Sequence, residues 1–402
     1  MAGKTKKHVV IATRIFDPEP AIAAEIQHSF AKALSSGGYD VTVLTTKAPG
    51  HSTYSDGDLD VRRWPALRDK DGYIKGVVQY LSFDIPLFFR LLFHRPKPDV
   101  VLLEPPPTTA MMVRAVCWLR RIPYVYHVAD LWSEAVTNDD AGKLVQKLLR
   151  AGEIWALKGA SVLMSAYPGM TSGLKALGIK KNVETIGLGV DTDIYKPEGP
   201  LKDNLPAKKI LLYAGTASYV HGAEIFVDAF NLIKDDFPEV GLVFIGQGTS
   251  FDWLEEQAKK SQGRITVLPK VSSPEAAAWL RSAVASLASV KPDVYSFAFP
   301  TKAYSAAASG VPVIYTGAET AGKVIQNNGL GIFAEYNPDS VAAAMRHILT
   351  EKKDKQLSRK EGLRTWALKN VALSAIANKV KKIVDELAQS VNENSSSGQE
   401  KS

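Results

Sequence analysis

Residues 299–314, FPTKAYSAAASGVPVI, place Thr301 and Lys302 where a proline-bearing loop enters a helix of small residues. A helix start offers free N–H groups and a partial positive charge, and a lysine adds a full one, so the pair reads as a site for a phosphate-like anion. The other reading makes Thr301 an N-cap and Lys302 a solvated surface residue. No Asp or Glu falls between Pro300 and Ile314. A second glycine-bounded loop, GTASYVHG (215–222), lies between strand and helix patterns, where glycine lets a backbone approach a ligand closely. Its His221 either bonds a phosphate oxygen or is structural. Gly246 and Gly248, in GQG, read as the same kind of approach or as a simple tight turn.

Further candidates precede these. His127 ends the strand pattern PYVYHV, as a hydrogen-bonding group or a packed histidine. Asp130 and Glu134 are the nearest acids to it, although Asp130 also suits a cap. Two Asp-x-Asp pairs occur, Asp58/Asp60 and Asp191/Asp193, but neither follows a strand in the way a diphosphate-bound cation requires. The one cysteine, Cys117, and the scattered histidines give no zinc spacing. No metal is expected.

The elements that must hold these residues alternate strand and helix in two halves. The first has strand patterns at 8–13, 40–46, 99–104, 123–128 and 160–166; the second restarts at 209–215 and continues at 241–248, 264–269, 285–289 and 311–317. Such alternation predicts parallel sheets with helices on both faces and ligands beyond the strands' carboxyl ends. Residues 186–209 read as the linker, and 392–402 as a disordered tail.

This layout resembles the two-Rossmann-lobe (GT-B) glycosyltransferases, within them family 4 and its bacterial polysaccharide-assembly branch. Five segments carry the resemblance, which spans roughly residues 7–388: the entry loop and helix from FDPEP (16–20), VADLWSEAV (128–136), LGVDTDIYKP (188–197), LLYAGTASYVHGAEIFVDAF (211–230) and the stretch 299–314. It implies an α/β fold of two Rossmann-like lobes facing a central cleft. The acceptor-side domain is 1–187, the nucleotide-sugar-donor domain 188–364, a cross-back helix 365–388 on the first domain, anchored by Trp366 and Leu368, and the tail 389–402.

The implied activity is retaining, metal-independent hexosyl transfer from a nucleotide-sugar to a lipid-linked or glycan acceptor in cell-envelope polysaccharide or glycoconjugate synthesis. No cofactor is implied; the UDP- or GDP-linked sugar is a substrate. His127 and Asp130 take the catalytic positions. Gly215, Thr216, His221, Gly246, Gly248, Lys270, Thr301, Lys302 and Ser305 take the donor side, and Asp17, Glu19 and Glu134 the acceptor side. Family members usually carry two glutamates around the 301–309 helix; here those positions hold Phe297 and Ser305. That departure keeps open a weak or inactive paralogue acting as a binding partner. A sugar-nucleotide epimerase on the same fold is the other alternative.

Formal net charge is +7 over 402 residues, modest enough to favour anionic small molecules or a lipid surface over nucleic acid. The lone cysteine suits a reducing compartment. The opening residues read as a basic leader and a first strand, and no run is apolar enough for a spanning helix. Residues 73–98 mix apolar side chains (Phe83, Ile85, Leu87, Phe88, Phe89, Leu91, Leu92, Phe93) with Lys75, Arg90, Arg95 and Lys97. They read as the contact with an anionic membrane or as a core helix pair with a solvated face. The expected location is cytoplasmic, on the inner face of the plasma membrane.

Overall fold

The computed structural model describes residues 6–19, 21–49, 56–69, 72, 74, 76–129, 140–292 and 299–399, with 140–146 and 391–399 given by backbone alone. The chain divides into two compact units, residues 1–187 with 376–402, and residues 188–375.

The first unit runs β1 (His8–Ala12), α1 (Ile22–Ser36), β2 (Asp40–Thr46), β3 (Asp60–Trp64), α2 (Val77–Leu92), β4 (Val100–Leu103), α3 (Pro107–Arg120), β5 (Tyr124–Val128), α4 (Asp140–Gly159), β6 (Val162–Ser165), α5 (Pro168–Ala176) and β7 (Val183–Thr185). The strands form one parallel sheet ordered β3-β2-β1-β4-β5-β6-β7. Its central strands are covered on both faces, which is why residues 9–12 of β1 and VVLL of β4 are apolar and buried. The strand order reverses between β1 and β4, the switch point where such sheets leave room for ligands.

The second unit runs β8 (Lys209–Thr216), α6 (Ile225–Asn231), β9 (Val240–Gln247), α7 (Phe251–Lys260), β10 (Ile265–Pro269), α8 (Ser273–Ser282), β11 (Ala285–Val290), α9 (Lys302–Ala308), β12 (Val313–Gly317), α10 (Glu319–Asn327), β13 (Gly331–Ala334), α11 (Pro338–Leu349) and α12 (Lys353–Asn370). Its parallel sheet is ordered β10-β9-β8-β11-β12-β13, with the switch between β8 and β11. Tyr213, Phe226, Phe230 and Phe244 build the core on one face; Ile210, Leu212, Val243 and Ile245 pack with Trp279, Leu280 and Ala306 on the other.

The chain's end differs from the sequence expectation. No single helix covers 365–388. Helix α12 stops at Asn370, the chain bridges Ala372 to Val190, and α13 (Leu373–Gln399) then begins. From Ile376 onward α13 belongs to the first unit. There Ile376, Val380, Val384 and Ala388 are buried at a four-residue spacing, one face of a helix. Tyr39 Oη donates to Asp385 at 2.6 Å on the same face. Trp366 and Leu368 are not its anchors: Trp366 bonds Asn328 and packs on Tyr304 within the second unit, and Leu368 is exposed. The backbone stays helical through Gln399 rather than ending in disorder at 389.

Candidate functional site

In the second unit, a cavity of about 210 Å³ lies against the face of the sheet carrying Ile245. The ends of β8 and β9 contribute Ala214, Gly215 and Gly246; the segment after β10 contributes Lys270 and Val271. Helix α8 supplies Ser273, Ala276 and Leu280, β11 supplies Ser286, and α9 supplies Lys302 and Ser305. Among the described residues the lining holds two lysines and no carboxylate.

Lys302 is the dominant charge. Its Nζ is closed off from solvent, has no hydrogen-bond partner among the described residues, and rests 3.5 Å from the centre of the Tyr213 ring. Burial pushes its ammonium down to about 7. Small side chains explain how it gets there: Ala303, Ala306, Ala307 and Ala308 are buried and let α9 approach the sheet closely. Gly215 has φ 136°, a conformation that favours glycine, and a Cβ there would stand in contact with Lys302, 3.5 Å from Nζ.

The other nominated donor-side residues separate. Gly246 and Lys270 line the cavity with Gly215, Lys302 and Ser305; Thr216, His221, Gly248 and Thr301 are not among its lining residues. At Gly246 a Cβ would stand 2.0 Å from Gly215 O, and at Gly248 2.1 Å from Ala217 O. Close backbone approach between neighbouring strands therefore requires both glycines. His221 pairs through Nδ1 with Ser218 Oγ at 2.8 Å, and burial, then the Lys302 charge, lowers its proton affinity. Thr301 is exposed and makes no capping bond. The sequence reading missed Ser286, whose side chain is buried and whose Oγ has no partner among the described residues. A serine inside the strand pattern ASLAS was its one signal.

In the first unit, His127 lies on β5, fully buried, with neither ring nitrogen partnered among the described residues. Phe30 stands edge-on 5.6 Å away, and burial pushes the imidazole down to about 4, so it is neutral at pH 7. Asp130, Glu134 and Phe297 lie outside the described residues. Glu19 is not a free acceptor-side acid: Arg68 grips both its oxygens, at 2.8 and 3.0 Å. Asp17 lies 3.4 Å from His28 Nδ1, and its backbone oxygen accepts from Arg63.

An acid that was not nominated sits at the switch point. Glu104 follows β4, takes hydrogen bonds from Thr13 at the end of β1 and from Gln27 of α1, and is pushed up to about 7 by burial. A glutamate closing the buried run VVLL was the available signal. Both Asp-x-Asp pairs have local partners. Asp191 accepts from the N–H groups of Asp193 and Ile194, and Asp60 from Thr42 and Arg62. Among the described residues no three His, Cys, Asp or Glu side chains gather to hold a cation.

Helix α2 divides the apolar residues of 73–98. Phe83, Leu87 and Leu91 are core, as is Asp84, which accepts from Thr109. Val77, Leu81, Ile85, Phe89 and Phe93, four residues apart, stand exposed in one row. Arg90 stacks over Trp64 at 4.6 Å. No described helix is long and apolar enough to cross a membrane.

Two family descriptions match the chain: "Glycosyl transferase 4-like domain" over residues 23–189 and "Glycosyl transferases group 1" over 208–351. The chain is 26% identical over 213 residues to the glycogen synthase of Mycobacterium tuberculosis (strain H37Rv), 52% of this chain and 50% of that protein. It thus spans about half the length of the curated relatives it matches. Among solved structures, sucrose-phosphate synthase from Thermosynechococcus elongatus superposes with TM-score 0.72 at 15% identity, covering 96% of this chain and 100% of the other. Anabaena HepE in complex with UDP and glucose gives TM-score 0.65 at 13% identity, covering 94% and 99%. At these identities the structural likeness establishes the shared fold.

Proposed function

Since this chain belongs to the group 1, GT4-like glycosyltransferases and has their GT-B fold, we propose that it moves a hexose from a UDP- or GDP-linked donor to a lipid-linked or glycan acceptor, with retention. The observation that carries the donor half is the Lys302 ammonium, buried, unpaired among the described residues, and beside a cavity with no acid in its lining. A buried cation without a partner is costly, and an anionic ligand supplies the partner. In the transfer, the bond between the anomeric carbon and the diphosphate oxygen breaks. The acceptor oxygen bonds that carbon on the same face, and the acceptor's proton leaves with the nucleoside diphosphate. Charge gathers on the departing diphosphate, and Lys302 stabilises it.

The Anabaena relative carries UDP and glucose in its structure, which supports a nucleotide donor here by analogy. Reaction without a divalent cation is part of the proposal, because among the described residues the cavity is lined by lysines and by no carboxylate to bind a metal. The exposed apolar row on α2 supports peripheral attachment to an anionic membrane at the cytoplasmic face, where a lipid-linked acceptor is presented. The acid-free lining also favours a second reading, a weakly active or inactive paralogue that binds nucleotide without turnover. Incubating the protein with UDP- and GDP-sugars, with sugar release and transfer scored separately, tests both. Transfer supports the first reading, and tight nucleotide binding without turnover supports the second.

A further inference from the structure

We infer that Ser286 is a specificity-determining residue that reads a ribose hydroxyl of the bound nucleotide, an inference that rests on the donor-site reading above. Its Cα belongs to β11, where its N–H donates to Pro312 O at 2.9 Å, so the backbone is fixed. Its side chain points to the face occupied by Ile210, Leu212, Val243 and Ile245, an apolar environment that alanine would fill without an unpaired hydroxyl. Buried hydroxyls are ordinarily hydrogen-bonded, so an orphaned one beside a cavity marks a partner that enters. Ser289 and Ser309 also have unpaired buried hydroxyls among the described residues, but neither lines the cavity.

The cavity's polar groups describe that partner. Lys302 and Lys270 offer positive charge, whereas Ser273, Ser286 and Ser305 offer neutral hydroxyls, with Ala214, Ile245, Val271, Ala276 and Leu280 between them. A nucleotide presents the complementary set: a charged phosphate on one side of its sugar, a neutral diol, and flat apolar faces. At about 210 Å³ the space is below the usual range for a whole small-molecule ligand and fits part of one. Because no carboxylate lines it among the described residues, the diol is held by neutral hydrogen bonds, which are weaker than charge-assisted ones. The site therefore prefers ribonucleotides to deoxyribonucleotides only modestly.

Calorimetric titration of the full chain with UDP, GDP and their 2′-deoxy and 3′-deoxy forms tests this. The wild type should bind the better ribonucleotide roughly three- to tenfold more tightly than at least one of its deoxy forms. Ser286→Ala should weaken the ribonucleotide by that factor, leave the deoxy form unchanged and bring their ratio close to one. Its melting temperature should hold or rise, since an unpaired buried hydroxyl is removed. Binding that depends on Lys302, with a ribo-to-deoxy ratio untouched by Ser286→Ala, overturns this inference alone. Absence of binding by either ribonucleotide overturns both this inference and the donor-site reading.

Discussion

Lys302 Nζ lies 3.5 Å from the centre of the Tyr213 ring, and among the described residues that ring is the ammonium's one favourable neighbour. A ring face offsets part of the charge but none of the three lost hydrogen bonds. Lys302→Ala should weaken binding of UDP or GDP by about 1.5–3 kcal/mol, roughly ten- to over a hundredfold. An unchanged dissociation constant would remove Lys302 from the site.

The same lysine ties binding to pH. In the free protein burial holds Lys302 near 7, and an anionic ligand restores the charged form. Nucleotide binding should take up a proton above pH 7, and affinity should fall by up to about tenfold per pH unit there. Stability runs the other way. The unfolded chain keeps the ordinary lysine value of 10.5, so it binds more protons than the folded chain between pH 7 and 10.5. This group's contribution to stability therefore rises with pH across that window. Lys302→Met should stabilise the ligand-free protein at pH 6, by on the order of 2 kcal/mol, while weakening nucleotide binding as Lys302→Ala does. Urea unfolding at pH 6 and pH 9 checks it; a destabilised Lys302→Met at both values refutes the account.

Glu104 gives a second pH signature, of opposite sign. Burial raises its carboxyl from 4.5 to about 7, so the folded state holds the proton over that range while the unfolded state loses it. Its favourable contribution is complete below 4.5 and disappears as pH rises through 7, a change on the order of 3 kcal/mol. Gln27 Oε1 has no partner among the described residues, so a turned amide can accept from a protonated or amidated residue at 104. Glu104→Gln should therefore fold and flatten the stability profile between pH 5 and 8. An identical profile in both proteins would show that Glu104 titrates normally.

How far the sequence reached follows from what sequence patterns encode. Parallel strands covered on both faces are apolar runs, so HVVIA, DVTVLTT and VPVIYTG announced themselves. The edge strand β3, DVRRW, alternates with charged residues, and β7 has three residues, so neither carried that signal. In the site, Lys302 and the glycines were legible because their residue types have few alternatives. Ser286 and Glu104 were not, because what distinguishes them is burial: a hydroxyl without a partner among the described residues, and a carboxyl between Thr13 and Gln27. Gly246 and Gly248 were read as a ligand approach or a tight turn, and the group that comes close to each is backbone of β8 or its following residue.

Chelation should leave transfer intact. Asp191 caps its own turn, Asp60 is held by Thr42 and Arg62, and among the described residues the cavity lining contains no carboxylate. The rate in EDTA should match the rate in magnesium. Complete loss restored by magnesium or manganese would require a cation site that these side chains do not form.

The exposed row on α2 makes the most direct claim about location. Val77, Leu81, Ile85, Phe89 and Phe93 recur every four residues, so they share one helical face, while Phe83, Leu87 and Leu91 hold the opposite face in the core. A contiguous apolar strip of this kind on a protein surface marks a contact. Arg95 and Lys97 stand exposed just past its end, and each basic residue near an anionic bilayer contributes roughly 1 kcal/mol. The buried Asp84 and the internal Pro86 suit a helix lying on a surface rather than crossing one. Ile85→Ser, Phe89→Ser and Phe93→Ser together should weaken binding to vesicles rich in anionic lipid by at least about tenfold, leaving the melting temperature and nucleotide affinity unchanged. Phe83→Ser, which strikes the core face, should unfold the first unit instead. Equal vesicle binding by the triple variant, or collapse of its fold, would show that the row does not touch a membrane.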